Sequence, residues 1–158
     1  MDRFIQILTL NVGLSNNLAG LSTILAVNSV DLILLQEFRS SKEHLDSILG
    51  GTFSSEINTD IDFPSSPGTA VAWRNSLPVD CVTPLVPCRA QGVKFGSYVV
   101  INVYAPSGTD RRQERNIFFG QHVFEALSLF PDCHYFLAGD FNCVLSPLDI
   151  ENQVGFNQ

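Results

Sequence analysis

Five polar side chains in this sequence stand where an apolar run gives way, and their types suit phosphate chemistry. Phe4 to Leu10 ends in Asn11, Leu32 to Leu35 ends in Gln36-Glu37, and Tyr98 to Val103 ends in Tyr104. The run Tyr135-Phe136-Leu137-Ala138 breaks at Gly139 and presents Asp140 and Asn142 two residues apart. A polar group just past a buried strand is costly unless it has a partner or a task. Glu37 offers a carboxylate to a hard cation, which takes oxygen ligands and keeps several waters. Asn11 offers an amide oxygen to the same ion or to a water on it. Asp140 could orient or deprotonate an attacking water. Asn142 and the Tyr104 hydroxyl could donate to a phosphate oxygen as charge builds there. Together these groups describe metal-assisted hydrolysis of a phosphate ester. Taken singly each has a plainer reading: Asn11 and Asn142 as turn residues, Tyr104 as a strand aromatic, Glu37 as a surface residue, Gly139-Asp140 as a turn.

The elements that must position them follow from periodicity. Phe4 to Leu10 reads as a central strand, and Asn11-Val12-Gly13-Leu14 as the turn beyond it. Ser15 and Asn16 are N-cap types, and Leu18, Leu21, Ile24 and Leu25 then follow helical spacing. Asp31 to Gln36 is a second buried strand, completing a strand–helix–strand unit. Ser40 and Glu43 fit a capping box for a short helix carrying Leu45, Ile48 and Leu49, which Gly50-Gly51 ends. Gly51 to Ile57 is weakly strand-like, Asn58 to Gly68 is a loop, and Thr69 to Trp73 is a strand. Ser76 to Pro87 suits an edge strand, and Arg89 to Gly96 reads as a turn region. Ser97 to Tyr104 is a strong strand. Thr109 or Asp110 caps a helix running to about Phe130, with Ile117, Phe118, Phe124, Leu127 and Phe130 as its buried stripe. His134 to Ala138 is the last strand. Mixed strands and helices favour a layered α/β architecture.

A chain of 158 residues is one domain by length. Its 45% hydrophobic and 16% charged residues mark a globular protein. The net charge of −7 argues against a broad basic face for nucleic acid. A phosphodiester must then be met through a metal, a local arginine cluster or a partner segment. Cys81, Cys88, Cys133 and Cys143 form no Cys-x-x-Cys pair and read as reduced thiols. No apolar run is long enough to span a bilayer, and no signal peptide is evident, so a soluble intracellular protein of nucleus or cytoplasm is the expectation.

Four segments carry a family likeness. Leu10-Asn11-Val12, Ile33-Leu34-Leu35-Gln36-Glu37, Asn102-Val103-Tyr104-Ala105-Pro106 and Gly139-Asp140-Phe141-Asn142 resemble, in order, successive motifs of the endonuclease/exonuclease/phosphatase superfamily. Tyr104-Ala105-Pro106-Ser107 and Asn142-Cys143-Val144-Leu145 further resemble the endonuclease domain of non-LTR (LINE-type) retrotransposon polyproteins. The likeness runs from Phe4 to about Asp149. It implies a four-layered α/β sandwich, with two mixed β-sheets flanked by helices and a cleft for Mg2+ or Mn2+ at their edge. It implies nicking of duplex DNA, with a reverse transcriptase region of the same polyprotein as partner. By this resemblance Glu37 would bind metal with Asn11 in support, Tyr104 would contact the scissile phosphate, Asp140 would position water, and Asn142 would stabilise the transition state.

The sequence also departs from that pattern. The family's closing segment, with an Asp and the catalytic His near Ser-Asp-His, is missing, and so are its last strands. His44, His122 and His134 match no family motif. The expectation is therefore a single domain over residues 1–158, C-terminally incomplete and weak or inactive as it stands. Two alternatives are a phosphatase or phosphodiesterase of the same fold acting on a small molecule or a lipid, and a non-enzymatic remnant. Arg74, Arg89, Lys94, Arg111 and Arg112 are the candidates for a basic strip, whose presence beside the cleft would favour DNA.

Overall fold

The computed structural model describes residues 4–13, 18–60, 62–63 and 66–143. The expected N-cap at Ser15 and Asn16, and the segment Val144 to Asp149, lie outside them. The elements are β1 (Ile7–Asn11), α1 (Leu18–Val27), β2 (Leu32–Phe38), α2 (Lys42–Leu49), β3 (Phe53–Asn58), β4 (Gly68–Arg74), β5 (Cys81–Val86), β6 (Ala90–Phe95), β7 (Tyr98–Tyr104), a helical stretch from Thr109 to Leu127, and β8 (His134–Asp140). The strands form two four-stranded sheets, ordered β1-β2-β4-β3 and β5-β6-β7-β8. Each is mixed: β1 runs parallel to β2 and β7 parallel to β8, while the other pairings are antiparallel.

Side-chain alternation along the strands builds the layers. On β2, Ile33 and Leu35 join the core beneath α1 and α2, with Leu18, Leu21, Leu45 and Leu49. Leu32 and Leu34 point the other way and meet Val93 and Val100 of the second sheet. On β7, Val99, Ile101 and Val103 pack under Phe118, Val123 and Phe130. Helices, sheet, sheet and helices thus stack as an α/β sandwich, as the sequence led one to expect.

One end of the sheet–sheet interface is polar. Asn102, fully buried on β7, donates to the carbonyls of Leu35 (2.9 Å) and Ala70 (3.0 Å) in the facing sheet. Its amide oxygen accepts from Gln36 Nε2 at 2.8 Å, and that nitrogen also reaches Thr9 Oγ1 at 3.1 Å. Alongside, Thr69 Oγ1 donates to Gln91 Oε1 at 2.7 Å, and Asn58 Nδ2 donates to the carbonyls of Val86 and Ala90. These bonds join the two sheets at one level, a residue or two below Glu37 and Tyr104.

Four local expectations are corrected. Residues 89–96 are not a turn region: Ala90–Phe95 is a strand paired on both sides. Gly92 is admitted because Phe130 covers it, within 3.2 Å of where a Cβ would stand. Second, β1 is an edge strand among the described residues rather than a central one, so Ile7 and Phe4 are exposed while Leu8 and Leu10 pack on the core. Third, Ser41, not Ser40, caps α2, accepting from His44 N at 3.2 Å. Finally, the helix after Thr109 is not uniform. A 3₁₀ turn (Thr109–Arg111) leads into α3 (Arg112–Ile117), a π-helical turn (Phe118–Val123) and α4 (Phe124–Leu127). The wider π turn brings Phe118 and Val123, five residues apart, onto one buried face. Ile117 and Phe124, read as core, are 40% and 67% exposed as a result.

Replacing Asn102 with Leu takes the side-chain donor from two buried carbonyls, at about 1–3 kcal/mol for each, while Gln36 Nε2 keeps Thr9 Oγ1 and the Leu34 carbonyl as acceptors. Denaturant unfolding of Asn102→Leu is expected to show a loss of roughly 3 kcal/mol or more. A variant as stable as wild type would show that the polar level is dispensable.

Candidate active site

The ends of β1, β2, β7 and β8 come together at the polar end of the sandwich. Asn11 closes β1, where its amide nitrogen donates to Glu37 Oε1 at 3.1 Å and to Asp140 Oδ2 at 2.7 Å. Two carboxylates from different sheets, 103 positions apart in sequence (140 − 37), thus share one donor. The Asn11 oxygen is occupied by the Gly13 N–H at 2.9 Å, which fixes the side chain. In this arrangement Asn11 holds the carboxylates through its nitrogen, rather than offering its oxygen.

Glu37 reaches the site through a bulge. Gln36 pairs with Thr69 and Phe38 with Gly68, so Glu37 is the extra residue on β2. Its φ of +54° is unusual for a residue with a Cβ, a local strain of the kind that collects at functional sites. Neighbouring residues keep to the two faces of the sheet, Gln36 towards the second sheet and Phe38 into the core under the helices.

Asp140 and Asn142 form a compact turn. Asp140 Oδ1 accepts from the Asn142 N–H at 2.9 Å, and Asn142 Nδ2 donates to the Ala105 carbonyl at 2.8 Å. The Asp140 carbonyl in turn accepts from Ala105 N at 2.9 Å, extending the β7–β8 pairing past Tyr104. Gly139 makes the close approach possible. Its φ is +134°, and a Cβ there would lie 2.1 Å from the Val103 carbonyl oxygen.

Tyr104 is 4% exposed, and the Arg89 guanidinium lies 4.5 Å over its ring. Burial, then the Glu37 charge, push the Tyr104 hydroxyl above the ordinary tyrosine range; Arg89 opposes this and Asp140 adds to it. Both carboxylates therefore act on the hydroxyl, which stays protonated and able to donate.

The five residues singled out in the sequence are thus brought to one cleft. Hard oxygen donors suit a divalent cation such as Mg2+, which needs one or two carboxylates and otherwise keeps water. Two carboxylates held on one amide, with no Lys or Arg bridging either among the described residues, fit that demand. Among the described residues no cluster of three or more His, Cys, Asp or Glu is placed to hold a metal, and Glu37 and Asp140 are the carboxylates that meet on Asn11.

Other candidates make their contacts with other residues. His134 pairs with Tyr98 at the far end of β8, and His44 Nδ1 meets Ser40 Oγ at 2.7 Å on α2. Of the basic residues, Arg74 stacks on Phe53 at the opposite end of β4, Lys94 pairs with Asp80, and Arg111 with Glu114. Arg89 touches a cleft residue, Tyr104. Sequence reasoning missed Gln36 and Asn102 as the supports beneath the site. The signal was an amide in each of two otherwise apolar strands.

The residues from 8 to 155 match the model of the endonuclease/exonuclease/phosphatase family. This chain belongs to that family. No curated protein matches the sequence. Among solved structures, a humanized D. rerio TDP2 is similar at 20% identity, with a TM-score of 0.71 over 92% of this chain and 65% of its own. D. rerio TDP2 complexed with a single-strand DNA product is similar at 21% identity and a TM-score of 0.68, over 90% and 62%. The 3′ phosphatase NExo from Neisseria, bound to a product DNA hairpin, is similar at 19% identity and a TM-score of 0.64, over 91% and 59%. At these identities the likeness speaks for the fold, and the chain spans less than two thirds of each structure's length.

Two outcomes follow from this geometry. Gly139→Ala should cost roughly 2–4 kcal/mol, from left-handed strain and overpacking against Val103; chemical unfolding measures it, and a near-neutral result contradicts the contact. An ultraviolet titration should find one tyrosine ionising later than ordinary tyrosine. Because folded Tyr104 keeps its proton where the unfolded chain loses it, its contribution to stability falls as pH rises from about 10 towards the folded value.

Proposed function

We propose that this chain carries a divalent-metal phosphodiesterase centre that acts on DNA, of the nicking type its LINE-like motifs suggest. The observation that carries the reading is the meeting of Glu37 and Asp140, from two sheets, on the single amide of Asn11. Glu37 would hold Mg2+, and Asn11 would fix the carboxylate in place. Bound there, the ion would supply charge for a phosphoryl oxygen and an acidified water. Asp140 orients the attacking water. Tyr104 donates to the phosphate, and Asn142 steadies charge that builds on it. DNA is favoured because two of the similar structures hold DNA products. A reverse transcriptase region of the same polyprotein would be the partner that uses the nick.

Turnover by this chain alone is expected to be slow. His134 lies at the far end of β8, His44 is engaged by Ser40, and His122 sits on the π turn that packs under the second sheet, and none of the three makes a hydrogen bond to Asn11, Glu37, Asp140 or Asn142, so no histidine among the described residues is offered as acid or base. Loss of one member of a cooperating set costs orders of magnitude in rate. No helix among the described residues is long and apolar enough to cross a membrane. One observation favours a smaller substrate: with a net charge of −7, and with Arg74, Lys94 and Arg111 of the expected strip engaged by Phe53, Asp80 and Glu114, the surface offers little to a long polyanion.

Calorimetry should show Mg2+ binding to wild type that falls at least tenfold in Glu37→Gln. With supercoiled plasmid, slow Mg2+-dependent nicking should vanish in Asp140→Ala. Absence of any metal-binding heat, or equal heat from the Gln variant, would sink the metal centre. Rapid nicking that needs Asp140 would refute the expected slowness.

A further inference from the structure

We propose that Arg115 and Phe119 are positioning residues for the cleft, a brace on one helix that holds both the turn bearing Asp140 and Asn142 and the loop that leaves Tyr104. The inference rests on the phosphodiesterase reading above and adds two residues that none of the motifs contains. Phe119 stacks on Phe141, with ring centroids 5.7 Å apart and planes 15° from parallel. Phe141 is the residue between Asp140 and Asn142. The Phe119 ring also meets that of Phe118 edge to face at 4.9 Å, and Phe118 is buried in the core beneath the second sheet. Arg115 Nη1 donates to the carbonyls of Pro106 (3.1 Å) and Gly108 (2.6 Å), in the loop that follows Tyr104-Ala105.

Residues four apart project from one side of a helix, and here that side serves two strand ends at once. The π turn starts at Phe118 and seats it in the core with Val123, five residues on. Phe119 is left half-buried at the margin of that core, where Phe141 meets it. The turn it touches is a strained one. Asn142 has a φ of +46°, which a residue with a Cβ adopts only at a cost, and Phe141 joins it to Asp140. Stacked rings attract beyond their burial, and only within a narrow range of offset and tilt. Fixing the Phe141 ring therefore limits how far the backbone on either side can turn. It limits with it the direction in which Asp140 Oδ2 reaches Asn11. An aliphatic side chain at position 119 would fill the same space without setting the plane of that ring. Arg115 acts on the opposite partner. The Ala105 carbonyl accepts from Asn142 Nδ2, and the loop that begins there is pinned by the guanidinium at Pro106 and Gly108.

The test is Mg2+ calorimetry on Phe119→Leu, Phe119→Tyr and Arg115→Met, read beside the side-chain amide resonances of Asn142, which are identified by their loss in Asn142→Asp. Asp140 is one of the two carboxylates offered to the ion, so a slack turn weakens its binding. Phe119→Leu should weaken Mg2+ binding about tenfold, the lower end of what loss of a residue supporting a metal ligand costs. It should also move the Asn142 pair towards the shifts of a solvent-exposed amide. Phe119→Tyr keeps the ring and should restore both readouts. Arg115→Met should weaken binding in the same direction; Arg115 is half-exposed, so this variant keeps the proposal testable if Phe119→Leu does not fold. Wild-type affinity and an unmoved Asn142 pair in Phe119→Leu, even with a lower melting temperature, would mean that Phe119 only fills space and would overturn the proposal. A tyrosine variant as weak as the leucine one would overturn it too, as would wild-type affinity in Arg115→Met. Wild type that binds no Mg2+ would overturn the metal reading and this inference with it, while wild type that binds the ion with all three variants equal to it would overturn the inference alone.

Discussion

A buried layer of amides and hydroxyls between the sheets is the constraint on which the rest depends. Apolar sheet faces pack against one another without preferring a register, because the hydrophobic effect is non-directional. Hydrogen bonds supply what it cannot. Asn102 can satisfy its donors only if Leu35 and Ala70 stand opposite it, and Gln91 can accept from Thr69 only at that same offset. Displacing one sheet along the other would strand all of these groups in a dry interior. The layer lies one residue below Glu37 and two below Tyr104, so the setting it imposes passes almost directly to the cleft.

Above that layer the backbone departs from regular strand geometry wherever a cleft residue is presented. Glu37 and Asn142 both have positive φ, at +54° and +46°, and Gly139 is pressed against β7 where no side chain could fit. These are local costs of about 1–3 kcal/mol each for residues with side chains. The layered cores beneath offset them, from Ile33 and Leu35 on one side to Val99 and Ile101 on the other. Rigid, well-buried strands carrying a few strained ends are a sound way to hold two like charges close together. Without such support the Glu37 and Asp140 carboxylates would move apart. The Asn11 amide that bridges them is itself clamped by Gly13.

Much of this was legible in the sequence, and the exceptions have physical causes. The strand ends could be read because an apolar run that stops at Asn, Glu or Asp leaves few places for the polar group to go. The layered class followed from the mixed order of strands and helices, which opens on a strand–helix–strand unit. Residues 90–95 were not legible as a strand, since Gly92 and Gln91 are poor strand formers in isolation. There Phe130 fills the space above the glycine and Thr69 satisfies the glutamine, and both partners come from distant parts of the chain. The stripe on the helix after Thr109 was misread because a π turn resets the phase, which a regular period cannot anticipate. Arg89 looked like one of several scattered cations. Only the fold shows that it stacks on Tyr104, while Arg74 and Lys94 point to the other end of their strands.

The family's motifs and the geometry meet in one physical statement: two carboxylates, brought together by the register of two sheets, create a place for a small hard cation. A crystal of this protein soaked in Mn2+ and measured at the manganese absorption edge tests it most directly. The account predicts an anomalous peak between the carboxylates of Glu37 and Asp140, with Asn11 beside it. A peak elsewhere, or none at saturating Mn2+ with both carboxylates in place, would contradict it.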